Sequence, residues 1–282
     1  MKTREVAVVF RQRLGNQYSA AELDAMARVV MEEVMHYSPV DVVMRADAEL
    51  PEFFVTRLEN ILCRLERYEP LQYILGFARF HGHNFKVTPA TLIPRPETEQ
   101  LVDLVIDENR DRDDLRVMDL GTGSGCIAIS LARALKFPQV TGVDINNDAL
   151  DVARENAEML RVRVRWMEAD ILEMPPLPAE SQDIVVSNPP YIIMSEKAGI
   201  ERNVLDYEPH DALFVPDADP LLFYRAIAQF ASRVLVPQGR IYLEINRRFG
   251  VAVAQELGRH GFADMRVFKD SFGNDRFVTA NK

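Results

Sequence analysis

The sequence predicts an α/β protein built on a doubly wound, mostly parallel sheet of seven strands, preceded by a small helical domain and a β-hairpin linker. Three observations predict it. Residues 1–75 show only helical apolar spacing, and around residue 77 the period shortens to that of strands. From Arg116 onward strand-like and helix-like segments alternate, which demands crossover connections and hence parallel pairing.

The helical part follows from its caps and stripes. Thr3 to Leu14 carries apolar residues at helical spacing, and Gly15-Asn16 breaks the pattern. Ser19-Ala20-Ala21-Glu22 has the form of a capping box and opens a helix to about His36. Pro51 suits the first turn of another, whose stripe is Phe54, Leu58, Ile61, Leu62 and Leu65. This part carries no evident chemistry of its own. Ala78–His81 and Asn84–Val87 read as two short strands joined through Gly82-His83. Leu92-Ile93-Pro94-Arg95-Pro96-Glu97-Thr98-Glu99 is a proline-stiffened entry to a helix reaching about Glu108, with Glu97 and Glu99 complementing its dipole. The expected division is a helical domain over 1–75, a hairpin linker over 76–95 and an α/β domain over 96–282.

Within the α/β part, strands are expected at 117–120, 140–144, 162–167, 183–187, 239–245, 264–268 and 276–279, with helices at 125–135, 147–160, 219–234 and 247–259. The connector 270–275 is too short for a crossover helix, so the last two strands should be antiparallel neighbours.

Composition sets the broad class. Hydrophobic residues at 48% and charged residues at 27% suit a soluble globular protein. Apolar runs stop well short of the ~20 residues of a membrane span. Met1–Glu5 lacks the apolar core of a secretory signal. Cys63 and Cys126 lie far apart and outside any metal-ligand spacing. A cytoplasmic protein with no metal and no membrane partner is expected. The net charge of −10 argues against a direct nucleic-acid partner, because phosphate contacts are made largely through Lys and Arg. The short cluster Arg161/Arg163/Arg165 alternates as the solvated face of a strand would.

Chemistry enters where the first strand of the α/β part should turn into its helix. Asp119-Leu120-Gly121-Thr122-Gly123-Ser124-Gly125 lets the backbone turn sharply and lets a ligand touch the main chain. Asp144 ends the next strand, 23 residues after Gly121, where an acid can accept hydrogen bonds from both hydroxyls of an adenosine ribose. Asn146 and Asn147 are at hand to cap the following helix, so Asp144 is not needed there. Asp170 is placed to take an adenine amino group, with Ile171 packing on the ring. No Lys-Ser/Thr follows the glycines to handle phosphates. The set Gly121, Thr122, Gly123, Ser124, Gly125, Asp144, Asp170 and Ile171 therefore fits S-adenosylmethionine better than a dinucleotide or a nucleoside triphosphate.

Ser187-Asn188-Pro189-Pro190-Tyr191 follows the fourth strand directly. Two consecutive prolines remove two N–H donors, keep their carbonyls and hold Asn188 and Pro189 extended. The result is a stiff corner rich in acceptors. The Asn188 side-chain oxygen and the Pro189 carbonyl can each take one hydrogen of an NH₂ group, and Tyr191 offers a flat face for stacking. Methyl transfer to a planar nitrogen needs such a corner, because the lone pair must be drawn out of conjugation and aligned. Asn188, Pro189 and Tyr191 are thus the catalytic candidates, and Asn188, Pro189, Pro190 and Tyr191 the substrate-binding ones.

Gly121–Gly125 together with Asn188-Pro189-Pro190-Tyr191 resembles the amino-methyltransferases, which include DNA adenine and protein-glutamine enzymes. Glu69-Pro70-Leu71-Gln72-Tyr73-Ile74-Leu75-Gly76, the segment Leu92–Glu99 and Tyr207-Glu208-Pro209 narrow it: these are similar to the HemK/PrmC family, the peptide chain release factor glutamine N5-methyltransferases. The resemblance covers nearly the whole chain. It implies a class I, Rossmann-like methyltransferase fold in which Gly121 to Gly125, Asp144, Ile171 and Asn188 bind the cofactor and Asn188 to Tyr191 hold the substrate glutamine. It also implies that the helical domain docks a class 1 release factor, whose Gly-Gly-Gln glutamine is the target. Ile171 stands where relatives often carry an aromatic residue, and Glu244-Ile245-Asn246 where Glu-Ile-Gly is usual. A glutamine methyltransferase acting on a ribosomal protein is the nearest alternative, and a DNA adenine N6-methyltransferase a more distant one. Arg95–Glu99 favours the release-factor enzyme over the first. Acidic residues outnumber basic ones in residues 1–75, which disfavours the second.

Overall fold

The structure, a computed structural model describing residues 1–282, forms two compact units: Met1–Leu75 with Arg202–Tyr207, and Gly76–Glu201 with Glu208–Lys282. The first is a helical bundle of α1 (Val6–Leu14), α2 (Ala20–Met35), α3 (Pro39–Met44), α4 (Glu52–Leu65) and α5 (Leu71–Leu75). Its core is the predicted stripes laid together, with Phe10, Leu14, Val30, Phe54, Leu58, Ile61 and Leu65 buried. The Ser19–Glu22 capping box forms. A second box, Ser38 with Asp41, opens α3, a helix that the sequence does not predict and whose Val40, Val43 and Met44 face solvent and form no buried stripe. Arg202–Tyr207 joins this unit through chemistry remote in sequence: the Tyr207 hydroxyl donates to the Arg67 carbonyl at 2.8 Å, and the Arg202 guanidinium lies over the Tyr68 ring.

The second unit begins with the hairpin β1 (Phe77–Phe80) and β2 (His83–Lys86), and α6 (Pro96–Asn109) follows. Then come β3 (Arg116–Leu120), α7 (Cys126–Ala134), β4 (Gln139–Asp144), α8 (Asn147–Met159), β5 (Arg165–Glu168) and β6 (Gln182–Ser187). The chain continues through β7 (Ile192–Ile193), α9 (Arg202–Tyr207), β8 (Phe214–Val215), α10 (Leu222–Val234) and β9 (Leu235–Glu244), and ends with α11 (Gly250–Arg259), β10 (Ala263–Lys269) and β11 (Asp275–Asn281). The seven-stranded sheet has the order β10-β11-β9-β6-β3-β4-β5. Only β11 runs against its neighbours, so the expected antiparallel end is present. β5 starts three residues later than expected, because the Val162 N–H closes the end of α8 on the Ala157 carbonyl. The two-residue pair β7–β8 is too short to leave an alternating pattern in the sequence.

Each face of the sheet is covered. α10 and α11 bring Tyr224, Ile227, Phe230, Val253 and Leu257 against Met118, Val185 and Leu243. α6 and α7 bring Leu101, Val105, Ile127 and Leu131 against Val117, Val186 and Tyr242. Neighbouring residues of β3 thus serve opposite layers, as a strand buried on both faces must. β3 pairs in parallel with both β4 and β6, so the connections diverge from it and leave a crevice beyond its carboxyl end.

Gly142 decides how tightly that end is packed. It pairs with Asp119 on one side and Trp166 on the other. A Cβ there would come within 2.4 Å of the Trp166 ring and 2.9 Å of Thr122 Oγ1. Gly142→Ala is therefore expected to destabilise the protein by about 1–3 kcal/mol, the size of overpacking a filled core. Thermal unfolding checks it, and an unchanged midpoint would contradict the packing account.

Candidate functional site

The crevice is a cleft lined by Gly121, Gly123, Asp144, Ile145, Asn146, Ile171, Asn188 and Pro190, with Ala90, Leu92, Pro209, Asp211 and Ala212 on its rim. Its floor is the glycine loop. Gly121, Gly123 and Gly125 all have positive φ, at 75°, 54° and 79°, where a Cβ is strained. The Gly121 and Thr122 N–H groups both donate to the Val143 carbonyl at 2.9 Å, which draws the loop over β4. Behind it the Thr122 hydroxyl donates to Asp119 Oδ2 at 2.6 Å, and the Ala128 N–H reaches the same oxygen at 3.2 Å. Burial pushes the Asp119 carboxyl up to about 7.

Asp144 is held differently. Its Oδ2 accepts the Gly123 N–H at 2.8 Å and its Oδ1 the Asn146 N–H at 3.0 Å. One backbone donor per oxygen fixes the plane of the carboxylate and leaves acceptor capacity on both. Burial raises its carboxyl from the ordinary value, while the backbone donors of Asn146, Gly123 and Ile145 oppose the rise. Asn146 caps α8 by accepting the Asp148 and Ala149 N–H groups, so Asp144 is indeed not engaged in capping that helix.

The remaining cofactor candidates divide. Ile171 lines the cleft. Asp170 accepts the Leu172 N–H at 2.8 Å and caps the short turn Ile171–Glu173, outside the residues that line the cleft. Thr122 and Ser124 are buried, and Gly125 packs against Trp166, Ile129 and Ala153, so these three shape the loop from behind. Ile145 was not singled out in the sequence. It is 59% exposed although apolar, and it lines the cleft beside Asp144. The signal the sequence offers is an isoleucine directly after the strand-ending Asp144 and before the polar Asn146-Asn147.

On the other side stands the corner after β6. The Ser187 hydroxyl donates to the Leu120 carbonyl at 2.6 Å and ties the ends of β6 and β3 together. Asn188 and Pro190 border the cleft, and the Asn188 backbone oxygen lies 3.9 Å from where a Gly121 Cβ would stand. The corner thus meets the glycine loop backbone to backbone. The Asn188 side-chain NH₂ donates to Thr98 Oγ1 at 3.2 Å, and the Thr98 hydroxyl donates to Glu244 Oε2 at 2.7 Å. The Tyr191 hydroxyl donates to Glu244 Oε1 at 3.0 Å. Glu244 is 1% exposed, and burial raises its carboxyl while Thr98 and Tyr191 hold it down. Burial, and then the adjacent Glu244, drive the Tyr191 hydroxyl far above its ordinary value, so it stays protonated. Asn246 donates to the Tyr191 carbonyl at 3.2 Å and to Glu196 at 2.8 Å, which pins the chain leaving the corner.

The two proline-rich segments meet at one wall. Buried Glu208 accepts the Ile93 N–H at 3.0 Å and the Arg95 guanidinium at 2.6 Å. Their neighbours Leu92 and Pro209 face the cleft. A roomier cleft, about 570 Å³ against about 160 Å³, lies at the opposite ends of β3 and β4 around Arg116, Gln139, Arg163 and Arg165. It contains neither an acceptor corner nor a backbone-held carboxylate, and volume alone does not make it the site.

Residues 117–202 match the family model described as a methyltransferase domain, and residues 8–76 match the PrmC N-terminal domain. The release factor glutamine methyltransferase of Bacteroides thetaiotaomicron is 44% identical over 277 residues, covering 98% of this chain and 99% of that protein. The enzyme of the same name from Flavobacterium psychrophilum is 41% identical over 275 residues, 96% of each chain. Among solved structures, a methyltransferase from Pyrococcus furiosus superposes with a TM-score of 0.52 at 16% identity, over 79% of this chain and 98% of that one, which speaks for the fold alone.

A backbone-held carboxylate at the position proposed for the ribose has a measurable consequence. Asp144→Ala is expected to weaken S-adenosylmethionine binding by ~2–3 kcal/mol, the size of lost hydrogen bonds to a charged acceptor. Titration calorimetry on the folded variant reads this directly, and wild-type affinity would remove Asp144 from the site.

Proposed function

The chain belongs to the release factor glutamine methyltransferase family, and on that premise we propose that it transfers the methyl group of S-adenosylmethionine to N5 of the glutamine in the Gly-Gly-Gln loop of class 1 release factors. The observation that carries the reading is the acceptor corner, with the Asn188 NH₂ committed to Thr98 and its oxygen left for the substrate. The match of residues 8–76 to the PrmC N-terminal domain, together with the two named relatives, supports a release factor over a ribosomal protein or a DNA base.

The cleft fits the cofactor by the chemistry of its donors and acceptors. The glycine loop offers close backbone approach, Asp144 offers two oriented oxygens, and Ile145 and Ile171 offer apolar surface to an adenine. When bound, the cofactor supplies an electrophilic methyl group on a sulfonium. This chain's own residues then work on the amide. Asn188 Oδ1 and the Pro189 carbonyl accept its two N–H bonds, which returns electron density to nitrogen and fixes the lone pair. Tyr191, kept neutral, packs against the amide plane. No side chain of the corner acts as a base; the proton that nitrogen sheds on methylation passes to solvent, and the rate rests on alignment and on electrostatics preorganised for the transition state.

The helical unit is the proposed docking element for the release factor. It exposes Val40 (70%), Val43 (73%), Met44 (79%) and Phe53 (61%), an apolar surface that the unit's own core does not use. A cytoplasmic location is part of the same proposal. No helix is long and apolar enough to cross a membrane.

Two expectations test the reading. Asn188→Ala should lower turnover on a release factor by ~10²-fold, the size of losing one preorganised hydrogen bond, with a smaller effect on cofactor binding. Asn188→Asp keeps an acceptor oxygen and should retain part of the activity. Single-turnover methylation compares them, and wild-type turnover by the Ala variant would refute the corner. Replacing Val40, Val43 and Met44 together by Ser should raise KM for the intact release factor about tenfold or more, as hot-spot residues do. Cofactor affinity should stay constant, and an unchanged KM would move docking elsewhere.

A further inference from the structure

Asn188 presents a problem that neither the corner nor the family pattern solves. A side-chain amide has an acceptor end and a donor end of nearly the same shape, and only the oxygen end can take an N–H from the substrate. An NH₂ pointed at the reacting nitrogen would repel its hydrogens. Something must choose the end.

The structure assigns that choice to Thr98, which we propose as the positioning residue for the acceptor oxygen of Asn188. The Thr98 hydroxyl has one proton, and the 2.7 Å bond to Glu244 Oε2 uses it. Towards Asn188 it can therefore only accept, and it does so from Nδ2 at 3.2 Å. The amide is set with Oδ1 turned away from Thr98, on a residue that lines the cleft. Glu244 sustains the direction of the whole chain: its second oxygen already accepts the Tyr191 hydroxyl at 3.0 Å, and the carboxylate is 1% exposed, so water does not compete for the Thr98 proton. Thr98 is itself 2% exposed in the first turn of α6. It is out of reach of a substrate and acts only through Asn188. Asn188, through Thr98, and Tyr191, directly, are thus both tied to one buried carboxylate contributed by the neighbouring strand.

The inference rests on the acceptor-corner reading, and a double-mutant cycle separates the two. Thr98→Val keeps shape and removes the hydroxyl, Thr98→Ser keeps the hydroxyl, and each is measured with Asn188 and with Asn188→Ala under single-turnover conditions. Thr98→Val is expected to lower kcat about 3- to 10-fold, the size of one net hydrogen bond, with cofactor affinity unchanged. Thr98→Ser should restore most of it, and Thr98→Val should have no further effect once Asn188 is Ala. Full activity of Asn188→Ala would defeat the corner itself. A dead Asn188→Ala beside a fully active Thr98→Val would leave the corner standing and overturn the role of Thr98. So would equal losses in Val and Ser, or a Val loss that persists in the Asn188→Ala background. Should Thr98→Val not fold, the wild-type protein decides: the Asn188 side-chain NH₂ protons must show nuclear Overhauser contacts to the Thr98 side chain, and their absence overturns the assignment.

Discussion

A single buried carboxylate, Glu244, governs the geometry around the acceptor corner. It ends β9 one residue beyond Leu243, which pairs with Ser187, so it lies beside the start of Asn188-Pro189-Pro190-Tyr191. A carboxylate this buried persists only if hydrogen bonds replace the lost water. Its donors are Thr98 from the first turn of α6 and Tyr191 from the corner, with Arg276 adding a favourable field. Satisfying one charge therefore fixes where α6 begins, how the tyrosine stands and, through Thr98, which way Asn188 faces. Polar order in the site is a by-product of a desolvation problem solved once.

On the proposed cofactor side, two aspartates have surroundings that give them different work. Asp119 faces inward, 0% exposed, and is occupied with the Thr122 hydroxyl and the Ala128 N–H, so it holds the glycine loop against the start of α7. Asp144 faces the cleft with its outer lone pairs available. The distinction depends on Gly142, because a side chain there would push Trp166 and Thr122 apart and loosen the loop that Asp119 holds. Gly123 is set by conformation instead: space is open around it, and only its positive φ excludes other residues.

How much of this was readable in the sequence follows from the range of each interaction. The strands of the sheet, the glycine turn and the proline corner carry local signatures, namely period, φ freedom and missing donors. The turn and the corner stand at the expected residues, and the seven strands come in the expected order, with β5 starting three residues later and β9 four residues earlier than their periods suggest. Thr98 and Glu244 are 146 residues apart, and neither has a local mark of function. Thr98 looks like any residue in a helix's first turn until β9 brings the carboxylate to it. Arg202–Tyr207 was invisible for the same reason, since its place with the helical unit rests on contacts to Arg67 and Tyr68 far back in the chain. Asn246, a departure from the usual glycine, gains sense only when its amide is seen holding both the Tyr191 carbonyl and Glu196.

The corner as proposed takes an NH₂ group on a planar, conjugated frame, and that description fits an exocyclic amine of a base as well as a glutamine amide. Two acceptors and a flat ring cannot separate those substrates, so selection must lie outside them. The surfaces that remain are the cleft rim and the helical unit. The chain's net charge of −10 works against a polyanion, and apolar residues rather than arginines crowd the exposed face of α3. A protein loop that carries its glutamine on flexible, small neighbours can reach the cleft without the unstacking that a duplex base requires. The proposed reading therefore divides the labour: the α/β unit would determine which atom is methylated, and the helical unit which molecule brings it.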